Sequence, residues 1–295
     1  MILCSAGMAA CSSAAQHSAG PAEATSGPIT LPLDRYVLTD SELTLVDRAK
    51  NTMIARCMGR AGFSYPVRGE PVTTPGNTRR YGLSLPDSAA RFGYRPPPQL
   101  LAGRRWTAVL DRYVGVLDRR GQAALFGTDP GQRPAGVPVG GCAAAADALT
   151  PGGSGTDPGL VERLAVATLR RAAGRPEVLA AQERWSQCMA TAGFRYASPE
   201  AAAQDPRWSS PGRAARPSGD EVRTARTDVD CKLRTGYLGR IVDAETAEQR
   251  QAVAANAASL ARVRSFNDAE VRLARQALLT TGPDPDLQAV SRGYP

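Results

Sequence analysis

Six cysteines, one histidine and a scatter of carboxylates are the side chains in this 295-residue sequence whose chemistry extends beyond packing. The histidine is His17, alone in a stretch of Ser, Ala and Gly, so a Ser-His-Asp or Cys-His site has nothing to draw on elsewhere. The sequence contains neither HExxH nor GxxxxGK[ST], and "GGSGT", Gly152–Thr156, lacks the final glycine of a nucleophile elbow. Asp228 with Asp230, or Asp284 with Asp286, supplies too few oxygens for a cation cage. Glu183, Glu221 and Asp228 can converge beside Trp185 or Trp208, because glycoside cleavage fixes a distance between two carboxyls and not a sequence spacing. Core packing is the simpler use of Trp185, and Trp208 in "DPRWSSP" reads as a loop anchor. No catalytic residue, metal ligand or cofactor is assigned.

The cysteines are more informative. "MAAC", Met8–Cys11, follows a short apolar patch, and a polar Ser/Ala/Gly tail comes after it. This resembles the end of a bacterial lipoprotein signal, in which small residues precede a cysteine that takes lipid. Met8 stands where Leu is usual, and the positive n-region and a full apolar stretch are lacking, which points to a start codon set too late. Lipidation is therefore expected at Cys11, with Cys4 lost in the signal. Cys57, Cys142, Cys188 and Cys231 remain, and no two of them have the close spacing of a zinc site. An even set of four outside the cytosol reads as two disulfides, with three connectivities open. The expected pairs are Cys57–Cys142 and Cys188–Cys231, each worth about 4 kcal/mol on the loop-entropy model before strain.

Two of those cysteines open a repeated nonapeptide. "CMGRAGFSY", Cys57–Tyr65, returns 131 residues later as "CMATAGFRY", Cys188–Tyr196, with six of nine positions identical. Upstream, Leu43, Val46, Met53 and Ile54, and in the second copy Val178, Leu179 and Trp185, fall at helical spacing. Asp40 or Ser41 is expected to cap the first helix, and Pro176 with Glu177 to open the second. Gly62 and Gly193 are expected to stop them in a Schellman turn, which puts Met58 and Met189 one turn back and lays Phe63 and Phe194 against them. Tyr65 and Tyr196 then begin the exit segments and cover the same clusters. The repeat is a helix end with a cysteine inside it, and it needs no active site to explain it.

The rest of the chain supplies partners for these ends. Residues 1–35 read as truncated signal and tether, 36–150 as a first helical unit, 151–159 as a linker and 160–282 as a second unit, with 283–295 as a tail. "YGLSLPDSAARFGYRPPP", Tyr81–Pro98, mixes Gly, Pro and Tyr and reads as mostly loop. "SGDE", Ser218–Glu221, is a capping box ahead of the Cys231 helix. From Gly219 to about Leu279 there is no proline, so a long C-terminal helix is expected, split or bent near "SFND", Ser265–Asp268. The fold class expected is mainly α: two helical units with long loops, each stapled by a disulfide, and a long C-terminal helix.

The net charge is +8, and only Lys50 and Lys232 among the 36 basic residues are lysines. GC-rich codon usage accounts for most of that bias. The stretch Pro66–Gly141 still carries eleven Arg against five acids, a surplus of six, which suits an anionic wall polymer. The Lys-rich runs and interleaved aromatics of nucleic-acid modules are missing, so no nucleic-acid partner is expected.

The nonapeptides, Tyr81–Pro98, "GGCAAAADAL" and "DVDCKLRTGYLGRIVDAETAEQRQ" together resemble an actinobacterial, Streptomyces-type family of secreted or lipid-anchored proteins with repeated CMxxAGFxY motifs. The likeness runs over most of the chain after residue 40. It implies an exported envelope protein and brings no activity with it. The function expected is thus a non-enzymatic binding or structural module of the cell envelope. Its partners would be the membrane, through the lipid, and an anionic wall polymer or envelope protein. A wall-polymer hydrolase using acidic residues is the alternative.

Overall fold

Thr39 opens the first long helix. Its hydroxyl accepts from the Glu42 amide, and the Glu42 carboxylate accepts from the Thr39 amide at 2.8 Å, so the capping box lies one residue before the expected Asp40. The computed structural model describes residues 29–69, 71–74, 76–152, 155–208 and 216–281. These form helices α1 (Asp40–Arg60), α2 (Pro86–Phe92), α3 (Ala102–Val116), α4 (Arg119–Phe126), α5 (Gly141–Asp147) and α6 (Leu160–Ala173). They continue with α7 (Pro176–Thr191), α8 (Pro199–Ala203), α9 (Gly219–Arg234), α10 (Tyr237–Ala255) and α11 (Ala257–Thr281). The protein is mainly α, and no strand occurs among the described residues. No helix among them is long and apolar enough to cross a membrane.

Both repeats end in the same hydrogen-bonded turn. The Phe63 amide donates to Met58 O at 2.9 Å and Gly62 to Gly59 O at 3.0 Å. Phe194 and Gly193 make the same bonds to Met189 and Ala190, at 2.9 and 3.0 Å. Each glycine has φ of +87°, where an L side chain is disfavoured. Met58 and Met189 are fully buried, and Phe63 and Phe194 pack into the clusters around them.

The four cysteines form Cys57–Cys142, tying α1 to α5, and Cys188–Cys231, tying α7 to α9. The Cα atoms lie 5.4 and 5.8 Å apart, the ordinary separation for a cystine. A disulfide pair of this kind belongs to an oxidising, extracytoplasmic environment.

Several expectations change on contact with the structure. Tyr81–Pro98 is mostly loop, as expected, but it also holds the short helix α2, which starts on Pro86 and packs on α9. The C-terminal run turns at Gly236 and breaks again at Asn256, whereas α11 continues unbroken through Ser265–Asp268. Asn256 closes α10 with φ of −119°, outside the helical range, and both its amide, at 3.1 Å, and its side chain, at 2.8 Å, donate to Ala252 O. The tether does not extend to residue 35, since Leu31 and Leu33 are buried and the Leu33 amide donates to Gln249 Oε1 at 2.9 Å.

The two units also share their interiors. Val46 and Ala49 of α1 pack with Val271 and Ala274 of α11, and Lys50 pairs with Glu270 at 2.7 Å. Leu83, Ala89 and Tyr94 pack with Trp185, Met189 and Val229. Helix α1 is apolar on more than one side: Ile54, Met58 and Ala61 face the first disulfide's cluster, and Val46 and Ala49 need a second cover. The boundary near residue 150 is therefore a boundary of connectivity and not of packing.

The stop glycines give a direct test. Nothing lies within 4 Å of a Cβ built on Gly62 or Gly193, so an alanine there meets only the backbone penalty. Gly62→Ala and Gly193→Ala should each lower stability by about 1–2 kcal/mol in urea unfolding. A change within experimental scatter at both positions would contradict left-handed stops.

Candidate functional site

Two of the three carboxylates that can serve catalysis on paper, Glu221 and Asp228, are spent inside the protein. Glu221 lies in the first turn of α9, where the Ser218 hydroxyl caps its amide at 3.1 Å. Its side chain does not return to Ser218. It is fully buried and accepts from the Tyr94 amide at 3.3 Å and from Arg95 Nε at 3.4 Å. A Cβ on Gly93 would stand 2.8 Å from Glu221 Oε1, so only glycine lets the 93–95 backbone come this close. Asp228, two turns on, accepts from Trp185 Nε1 at 3.0 Å and from Lys232 Nζ at 3.1 Å. The other two Lys232 donors reach Tyr81 O at 3.2 Å and Leu83 O at 2.9 Å. Three donors meet three acceptors, which is how a fully buried ammonium is tolerated. Burial pushes the Asp228 pKa up and the Lys232 pKa down, and each is opposed by the other's charge.

Glu245 of α10 anchors a second part of this seam. Its carboxylate accepts from Arg80 Nε, from the Tyr81 hydroxyl at 2.7 Å and from Gln249 Nε2 at 2.8 Å. Burial, then the Glu245 charge, raise the Tyr81 hydroxyl's pKa far above the usual tyrosine range. At the outer edge of α10, Glu248 holds Arg171 and Arg175.

The pairings expected for acid chemistry do not assemble. Glu183 is exposed on α7, while Glu221 and Asp228 are enclosed, so the three do not line one cleft. Trp185 is completely buried and hydrogen-bonded to Asp228. Trp208 stacks on Tyr94 with ring centres 5.9 Å apart and donates to Ala202 O at 2.7 Å, so it is a packed anchor. Asp228 and Asp230 are separately engaged, the first by Lys232 and the second by Arg234 at 2.8 Å. Asp284, Asp286, His17, Cys4 and Cys11 lie outside the described residues.

A groove of about 650 Å³ lies open at the end of the second repeat. It is lined by Pro86, Ala192 and Phe194 and by Arg223, Arg226, Val229, Asp230 and Leu233 of α9. The Cys188–Cys231 disulfide lies beside it, and the Arg234 guanidinium is 3.4 Å from Cys188 Sγ and 3.9 Å from Cys231 Sγ. The sequence alone singles out the disulfide and Phe194 but not the arginines. Their signal is a spacing: Arg223, Arg226, Asp230 and Arg234 recur at i+3 and i+4 on one face of α9.

No family model, curated protein or solved structure matches the chain.

This geometry predicts two outcomes. Lys232→Met strands Asp228 as a buried charge and should cost about 3–5 kcal/mol in urea unfolding, with part recovered on adding Asp228→Asn. A loss below about 1 kcal/mol would mean that Asp228 reaches water. The disulfides should also differ in reactivity. Cys57 and Cys142 are 3% and 0% exposed, whereas Cys188 is half-buried beside a cation that stabilises a thiolate. Limited dithiothreitol followed by alkylation and peptide mapping should label Cys188 and Cys231 first, and the opposite order would contradict this reading.

Proposed function

We propose that the chain is an exported, lipid-anchored cell-envelope module that binds a partner and catalyses no reaction of its own. The observation that carries the reading is the pairing of all four cysteines downstream of Cys11 into two disulfides. The anchor rests on "MAAC" and the polar stretch after it, and on the resemblance of the nonapeptide repeats to secreted and lipid-anchored actinobacterial proteins. The non-catalytic part is supported by Glu221, Asp228 and Glu245, each buried and engaged by donors.

The arginine surplus also divides in a way that supports an anionic partner. Arg79, Arg80 and Arg95 are used internally, on Tyr94 O, Glu245 and Glu221. Arg104, Arg112, Arg119 and Arg120 are exposed on α3 and α4, where they are available to a wall polymer or an acidic envelope protein.

Membrane fractionation tests the anchor. The intact precursor expressed with its native upstream region should pellet with membranes, and Cys11→Ser should release it to the soluble fraction. Equal membrane association of the variant would remove the anchor from the reading.

A further inference from the structure

The two repeats are built alike but covered differently. In the first copy Cys57, Ala61 and Tyr65 are 3%, 8% and 7% exposed. At the matching places in the second copy Ala192 is exposed, and Cys188 and Tyr196 are only half-buried. The cover over the first copy is helix α4 and the end of α3. Gly121 of α4 sits so close to Phe63 that an added Cβ would lie 3.1 Å from the ring. Ala124 and Leu125 complete the apolar cluster around Met58, and the Tyr113 ring meets Tyr65 edge-on at 5.4 Å. Over the second copy no helix among the described residues takes that place, and the groove of about 650 Å³ lies there instead.

The charge around the groove narrows the range of occupants. Arg223 is paired with Asp220, and Asp230 with Arg234. Arg226, exposed on the groove wall, makes no ion pair or hydrogen bond among the described residues. A helix with the charges of α4, which carries Arg119 and Arg120, would meet Arg223 and Arg226 with like charge.

We propose that the groove formed by Ala192, Phe194, Pro86, Leu233, Arg223 and Arg226 docks a partner protein's amphipathic helix that has the small apolar face of α4 and acidic residues beside it. The first repeat is the template: there the chain supplies the covering helix itself, and in the second repeat a partner supplies it. This deepens the reading of the chain as a binding module and is independent of the anchor at Cys11.

The probe is a fluorescein-labelled, hydrocarbon-stapled helical peptide with the Leu117–Phe126 sequence carrying R119E and R120E, titrated against the full chain by anisotropy. Saturable binding is expected, weakened about tenfold by Arg226→Glu, a surface change that leaves the fold intact. The Arg226→Glu protein should in turn prefer the peptide that keeps both arginines. A circular dichroism melt matching the parent separates a lost contact from a lost fold. Absence of binding at millimolar peptide, or equal affinity for the parent and Arg226→Glu, overturns the proposal. So does a dimer in sedimentation that Arg226→Glu dissociates, because the groove would then belong to a second copy. Each of these results leaves the membrane fractionation of Cys11→Ser unaffected.

Discussion

A carboxylate enclosed in a protein must be surrounded by donors, and Glu245 is where this fold meets that demand. It lies on α10, yet its donors come from Arg80 and Tyr81 in the first half of the chain, from Thr168 on α6 and from Gln249 one turn along. Gln249 in turn accepts from the Leu33 amide, so the entering segment of chain is fixed by the same group. Leaving any of those donors out would strand charge in low dielectric, where it is costly. The seam continues along α9, where Lys232 draws in the Tyr81 and Leu83 carbonyls and Glu221 draws in the Tyr94 amide. The segment from Arg79 to Arg95 is thereby bolted to helices more than a hundred positions away, and the apolar clusters form around it.

Local chemistry was readable from sequence wherever a few neighbouring residues decide the outcome. The glycine stops, the methionines one turn before them and the Ser218 cap all depend on residues within five positions of each other. Counting the cysteines leaves three connectivities, and the pairing within each half, expected because each repeat has one partner there, is the one that forms. The seam was out of reach for the opposite reason. Arg80 and Glu245 look like surface residues in any window, and their burial depends on a contact across 165 positions. Glu221 misled in an instructive way: the Ser-x-x-Glu pattern is present, but the carboxylate has a stronger use inside than on its own cap. Helix α2 was hidden by its proline start and glycine end, which are also loop residues, and the 256 break by an asparagine that alternation and periodicity do not register.

The two nonapeptides share one local design and sit in two environments. Both nonapeptides close the same turn with the same torsion, so the short-range energetics are shared. The differences lie in the segments C-terminal to each copy. After the first, α3 and α4 return over the cystine and enclose it, with Gly121 allowing contact against Phe63. After the second, α8 and Trp208 pack beside the cluster and leave Ala192 uncovered. One sulfur bridge thus lies in a sealed apolar interior and the other at a charged margin under Arg234.

The distance in sequence between Arg80 and Glu245 also sets a timetable. A chain that crosses a membrane N-terminus first presents Arg80 well before Glu245, so the early segment has no buried counter-ion to close upon until α10 follows it. Truncations that end before residue 245 should therefore behave less like a smaller protein than like an unfinished one, dependent on chaperones and open to proteases.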